Sequence, residues 1–124
     1  YHTTKHADLA ASESCYLALK QRGLERIQVH CLVPAFVQTL IHKSDDRRPE
    51  RYAINDDPYY QGQEFKSGYI RSERQVVSSM PIDYVGKCVF TAVEDQKFYI
   101  YTHPESQVVA GARVQNMVNG LNPQ

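Results

Sequence analysis

From residue 1 to residue 22 the apolar positions are Ala7, Leu9, Ala10, Ala11, Leu17, Ala18 and Leu19, set among good helix formers with no glycine or proline, which predicts a helix. Lys20, Gln21 and Arg22 followed by Gly23 supply a basic last turn and a glycine C-cap. The period then changes. Ile27, Val29, Cys31 and Val33 alternate with Gln28, His30 and Leu32 up to Pro34, the signature of a short strand. Residues 42 to 80 are the least regular, polar and rich in turn formers around Asp56, Asp57 and Pro58. Helical spacing returns after Pro81, with Asp83 in the first turn and Val85, Cys88, Val89, Ala92 and Val93 on one face of a helix over 81–95. Phe98 to Thr102 is a β-rich run. Ser106 to Asn119 reads as a last helix with Val108, Val109, Ala112 and Val118 facing inward, stopped by Gly120 and Pro123.

Helix then strand, joined by a short link, is half of a βαβ unit whose first strand would lie upstream of Tyr1. A helix beginning at residue 1, with no methionine, is expected to have lost what preceded it. The 124 residues are 42% hydrophobic and 23% charged, in keeping with a single partial domain of modest core. Fourteen basic and fourteen acidic residues cancel, so charge gives no case for nucleic acid or an anionic membrane surface as a partner. No apolar run approaches a membrane span and no leader precedes the first helix, so a cytoplasmic location is expected. Cys15, Cys31 and Cys88 are too widely separated to suggest a disulfide framework or a zinc site.

Tyr1 and Lys5 are one helical turn apart, a proton-transfer spacing. A tyrosine ordinarily ionises near pH ~10, and an ammonium held beside the phenol pulls that value toward neutrality. Tyr16 and Lys20 repeat the spacing, so topology has to choose. A helix that follows a parallel strand begins at the carboxyl edge of the sheet, where ligands bind in open α/β folds, and the strand that ends at Pro34 returns there. Tyr16 lies roughly 22 Å further along the helix axis and reads as packing or surface. His2 and His6 share a helix face with no third ligand nearby, and no metal is assigned. His30 reads as a packing residue, whereas His42 and His103 have no evident partner. Asp56 and Asp57 before Pro58 read as a turn rather than a carboxylate pair. The mixed charges of residues 45 to 51 read as a solvated face.

YHTTK, a helix containing Ser12 and Glu13 and ending at Gly23, the strand IQVHCLV and the segment PAFVQT together resemble the second half of the short-chain dehydrogenase/reductase family. These are NAD(P)-dependent oxidoreductases of Rossmann type. The stretch SDDRRP, the helix start at Met80 and Pro81, and FYIYTHPE extend the resemblance over essentially the whole chain. It implies an α/β fold, the C-terminal half of a doubly wound parallel sheet: a catalytic helix at 1–22, a strand and cofactor-contact turn at 27–39, a substrate-loop region with short helices at 40–80, and a helix-strand-helix at 81–124. By the same resemblance Tyr1 exchanges a proton with the substrate oxygen, and Lys5 binds the nicotinamide ribose and lowers the tyrosine pKa. Pro34 shapes the turn, Val37 offers its backbone to the carboxamide, and Thr39 offers its hydroxyl nearby. Ala35 stands where the family usually has glycine.

The implied cofactor is NAD or NADP, the substrate an alcohol or carbonyl compound, and the intact parent a homo-oligomer. The family's glycine-rich phosphate turn, its ribose-selecting residue and its catalytic serine and asparagine all precede the tyrosine, and none is in this chain. Tyr59 and Tyr60, with Tyr52 and Tyr69, either line a substrate pocket or sit on a surface insertion. Two readings stay open. The chain is the catalytic-helix half of such an oxidoreductase, or a non-catalytic remnant or interaction module without the nucleotide-binding half. In either case the isolated chain is expected to be poorly stable or self-associating, and inactive.

Overall fold

In a computed structural model, described over residues 1–54 and 57–123, the chain is α/β and divides into two compact units. One comprises residues 1–35 and 85–124, the other residues 36–84.

In the first unit α1 (His2–Gln21) leads to β1 (Cys31–Val33), and α4 (Ile82–Glu94), which begins in the other unit, leads to β2 (Tyr99–Tyr101) and α5 (Pro104–Val118). β1 and β2 pair in parallel, with Cys31, Leu32 and Val33 opposite Tyr99, Ile100 and Tyr101. The strand expected from Ile27 starts only at Cys31, whose N–H bonds to the Phe98 carbonyl at 2.7 Å; Ile27 is exposed. Gly23 ends α1 at φ +66°, with Leu24 N–H on Leu19 O and its own N–H on Lys20 O, the paired bonds of a Schellman motif. Gly120 ends α5 in the same way.

The core is small. Among the described residues of this unit only Ala92, Ile100 and Thr102 are buried, and Val85, Cys88 and Val89 of the α4 stripe are half-buried. α5 departs from expectation: Val108, Val109 and Val118 face outward, 70–75% exposed. Nothing in the described chain covers them, because the two-stranded sheet is too narrow to offer a surface along the whole helix.

In the second unit Val37 forms an isolated parallel bridge with Met80, and Gln38 Nε2 donates to Val77 O. Two 3-10 segments (Ile41–Arg47 and Glu50–Tyr52) precede α2 (Pro58–Gln61) and α3 (Gln63–Val77). Asp57 caps α2, its carboxylate accepting from Tyr59 N at 2.9 Å with Pro58 in the first turn. The turn read at Asp56 and Asp57 is thus a helix start at Asp57, and Asp56 lies outside the described residues. The stretch expected to be least regular contains the fifteen-residue α3. Its buried contact is Val76, 2% exposed.

Candidate active site

Two side-chain contacts fix how α1 lies on the strands. The ring of Tyr16 packs on Phe98 with centroids 5.1 Å apart, and three residues earlier Glu13 accepts a hydrogen bond of 2.6 Å from the Tyr99 hydroxyl. Moving toward the start of α1 is therefore moving toward the end of β2, so the helix runs antiparallel to both strands. From Glu13 back to Tyr1 is about 18 Å of helix, whereas Tyr99 to Thr102 is only about 10 Å of strand. The start of α1 reaches past the strands' carboxyl ends, and Tyr16 sits at their amino ends.

At that outer end Tyr1 is 83% exposed, its ring edge-on to His2, and its carbonyl accepts from Lys5 N–H. Tyr1 holds the N-cap position without a side-chain cap bond, so its phenol is not tied to the helix it precedes. Lys5 Nζ meets Asp8 Oδ2 at 3.1 Å, both side chains well exposed. Such a pair is worth about 0–1 kcal/mol and exchanges readily. His6 Nδ1–H donates to the His2 carbonyl, and no group of three metal-ligating side chains gathers among the described residues.

Asp8, Ser12 and Glu13 line the side of α1 toward Cys31. Burial pushes the Cys31 thiol above its ordinary value, the Glu13 charge pushes the same way, a hydrogen bond with Ser12 pulls it down, and Asp8 adds to the rise. The hydrogen bond to Glu13 raises the Tyr99 phenol, with burial and the Glu13 charge adding to it. The Tyr99–Glu13 contact joins positions 86 residues apart and has no signature in the sequence.

Pro34 follows β1 in the first unit. In the second, the bridge at Val37 has a specific polarity. Gln38 N–H donates to Met80 O at 2.9 Å, so Met80 is the residue that bonds to both neighbours of Val37. In that parallel pattern the backbone N–H and C=O of Val37 itself point away from the partner strand. Thr39 Oγ1 accepts from Ile41 N at 3.3 Å. Tyr59, Tyr60 and Phe65 make a mutual edge-to-face cluster with centroids 4.9–5.7 Å apart. His42, for which the sequence offered no partner, is placed beside Glu73 with its side chain 5% exposed.

No protein-family model matches the chain. It is 34% identical over 123 residues to a "CLA biosynthesis dehydrogenase/reductase" of Lactiplantibacillus plantarum, an alignment that covers 99% of this chain and 43% of that protein. The crystal structure of a short-chain dehydrogenase/reductase from Burkholderia phymatum in complex with NAD superposes on all of this chain with a TM-score of 0.81 and 26% identity. The chain is similar to part of a short-chain dehydrogenase/reductase. It spans 43% of the length of each of these relatives. The short-chain dehydrogenase/reductase resemblance thus extends from the YHTTK helix through α5, and the α/β architecture with its small parallel sheet agrees with it.

Proposed function

We propose that the chain supplies the acid/base helix and the nicotinamide-facing turn of an NAD(P)-dependent oxidoreductase that interconverts an alcohol and a carbonyl compound. The observation that carries this reading is the antiparallel lie of α1, which sets Tyr1 and Lys5 on one turn beyond the carboxyl ends of the strands. Tyr1 donates its phenolic proton to the carbonyl oxygen in reduction and takes it back in oxidation. Lys5 exchanges its exposed Asp8 partner for the ribose hydroxyls.

The residues present fit the nicotinamide end of such a cofactor. Val37 offers an unpaired amide N–H and C=O for a carboxamide, and Thr39 keeps its hydroxyl hydrogen after accepting from Ile41. The bound nicotinamide supplies or accepts the hydride. The 124 residues contain no Gly-x-Gly run, so the pyrophosphate is not held by this chain.

The test is Tyr1→Phe in the full native polypeptide, assayed for NAD(P)H oxidation against a panel of ketones and aldehydes. A loss of about 10²- to 10⁴-fold in kcat is expected for removal of a general acid. Since Tyr1 is exposed and caps nothing, the fold is expected to be kept. Wild-type turnover by Tyr1→Phe overturns the assignment.

A further inference from the structure

α1 has no acidic residue in its first turn, and Asp8 is the first carboxylate along it. Its Oδ2 holds Lys5 Nζ at 3.1 Å, and neither side chain makes another ion pair among the described residues. Positions 1 and 8 are separated by roughly 700° of helix, close to two full turns, so Asp8 lies on the stripe that also carries Tyr1 and Lys5. A second observation places that stripe. The Asp8 charge adds to the rise of the Cys31 thiol, so the carboxylate lies on the side of α1 toward β1.

Helix stability does not account for the pair. On a helix the favourable order is acid before base, and side chains lean toward the N-terminus, whereas here the base comes first and Lys5 reaches toward the C-terminus. A cation near the start of the helix also opposes the macrodipole. The contact instead draws the ammonium toward a residue about 4.5 Å further along the axis from Tyr1. The two side chains are 58% and 62% exposed, so the bridge opens at little cost.

We propose that Asp8 is a positioning residue that acts as a brake on cofactor binding: its carboxylate occupies the Lys5 ammonium in the unliganded protein and has to be displaced before the nicotinamide ribose hydroxyls take that ammonium. The inference rests on the role proposed for Lys5. The wild type then binds a nicotinamide dinucleotide more weakly than a variant without the Asp8 charge, and the difference fades with salt, because the competing bridge is exposed and screened.

NADH and NADPH are the probes, titrated into the full native polypeptide with binding read from the change in their fluorescence. For the dinucleotide that binds more tightly, Asp8→Asn, nearly isosteric and uncharged, is expected to lower Kd about two- to fivefold, the size of one exposed ion pair. Asp8→Ser is expected to do the same. The ratio of wild-type to Asp8→Asn Kd should fall toward one near ~1 M salt, where screening acts within about 3 Å. In a Lys5→Met background, with no ammonium to compete for, Asp8→Asn is expected to change nothing. A Kd for Asp8→Asn equal to or above that of the wild type, with Lys5→Met weakened, overturns the brake and leaves the role of Lys5 standing. A gain that persists in Lys5→Met, or that salt does not reduce, also overturns it, since the carboxylate then acts other than through the ammonium. Binding unchanged by Lys5→Met, or no saturable binding of either dinucleotide, overturns the brake and the role of Lys5 together.

Discussion

Produced alone, residues 1–124 are expected to self-associate rather than persist as a cooperatively folded monomer. The perturbation is isolation itself. A compact monomer of 14.2 kDa should expose about 6,800 Å², whereas the chain exposes 10413 Å². The excess of about 3,600 Å² falls within the range buried by obligate subunit interfaces, roughly 2,000–5,000 Å². Much of it is apolar: Phe90, Val108, Val109, Met117 and Val118 are each 65–75% exposed. Scattered exposed side chains are ordinary, but large apolar side chains exposed to this degree around so small a core favour association. Against it stands a core of four buried residues among those described, Val76, Ala92, Ile100 and Thr102. Light scattering coupled to size exclusion, with urea unfolding followed by circular dichroism, gives the answer. A mass above 14.2 kDa, or a broad transition with a low m-value, is expected. A monodisperse monomer with a single sharp transition would refute the surface argument, because the exposed faces would then cost nothing.

Two further outcomes follow from particular contacts. The Tyr99 phenol is held above its ordinary value of 10.0 by its bond to Glu13, so the contact stabilises fully below about pH 10 and is lost as pH climbs through the raised value. With Tyr99 48% exposed the contribution is discounted to about 0.5–1 kcal/mol; in NMR titration of the tyrosine ring carbons, Glu13→Gln should bring the Tyr99 midpoint down, and an unmoved midpoint contradicts the assignment. Replacing Tyr59 and Tyr60 with alanine removes edge-to-face contacts worth about 0.5–1.5 kcal/mol each. In the full native polypeptide it should raise KM if these rings meet substrate, and an unchanged KM removes them from the substrate site.

What the sequence made legible was what local chemistry dictates. Gly23 and Gly120 announce the two Schellman ends because the left-handed position they occupy is sterically costly for other residues. The Val85 to Ala92 stripe announces α4 because its spacing is helical and its face is apolar. α3 stayed hidden: its single fully buried side chain is Val76, and Gly68 interrupts its interior, so neither period nor propensity marks it strongly. The α5 valines misled in the opposite sense, since periodic apolar residues imply burial only where a surface exists to cover them. At the candidate site, the proposed Tyr1 and Lys5 stand out in the sequence as a spacing, and Val37 as part of a segment. The free polarity of the Val37 backbone, the Glu13–Tyr99 contact that orients α1, and the His42–Glu73 placement all join distant positions. No local pattern encodes them.

The bridge at Val37 carries a consequence for tolerance to substitution. A group recognised through a main-chain N–H and C=O does not register which side chain stands above it, so isoleucine or threonine at position 37 should leave a carboxamide contact intact. Proline alone deletes the N–H. Saturation mutagenesis of the full native polypeptide should therefore find position 37 permissive toward β-branched residues and closed to proline, while position 1, whose proposed role belongs to the side chain, accepts almost nothing. If both positions serve as proposed, they would differ in sequence freedom, and the more freely varying one would be the easier for a comparison of sequences to overlook.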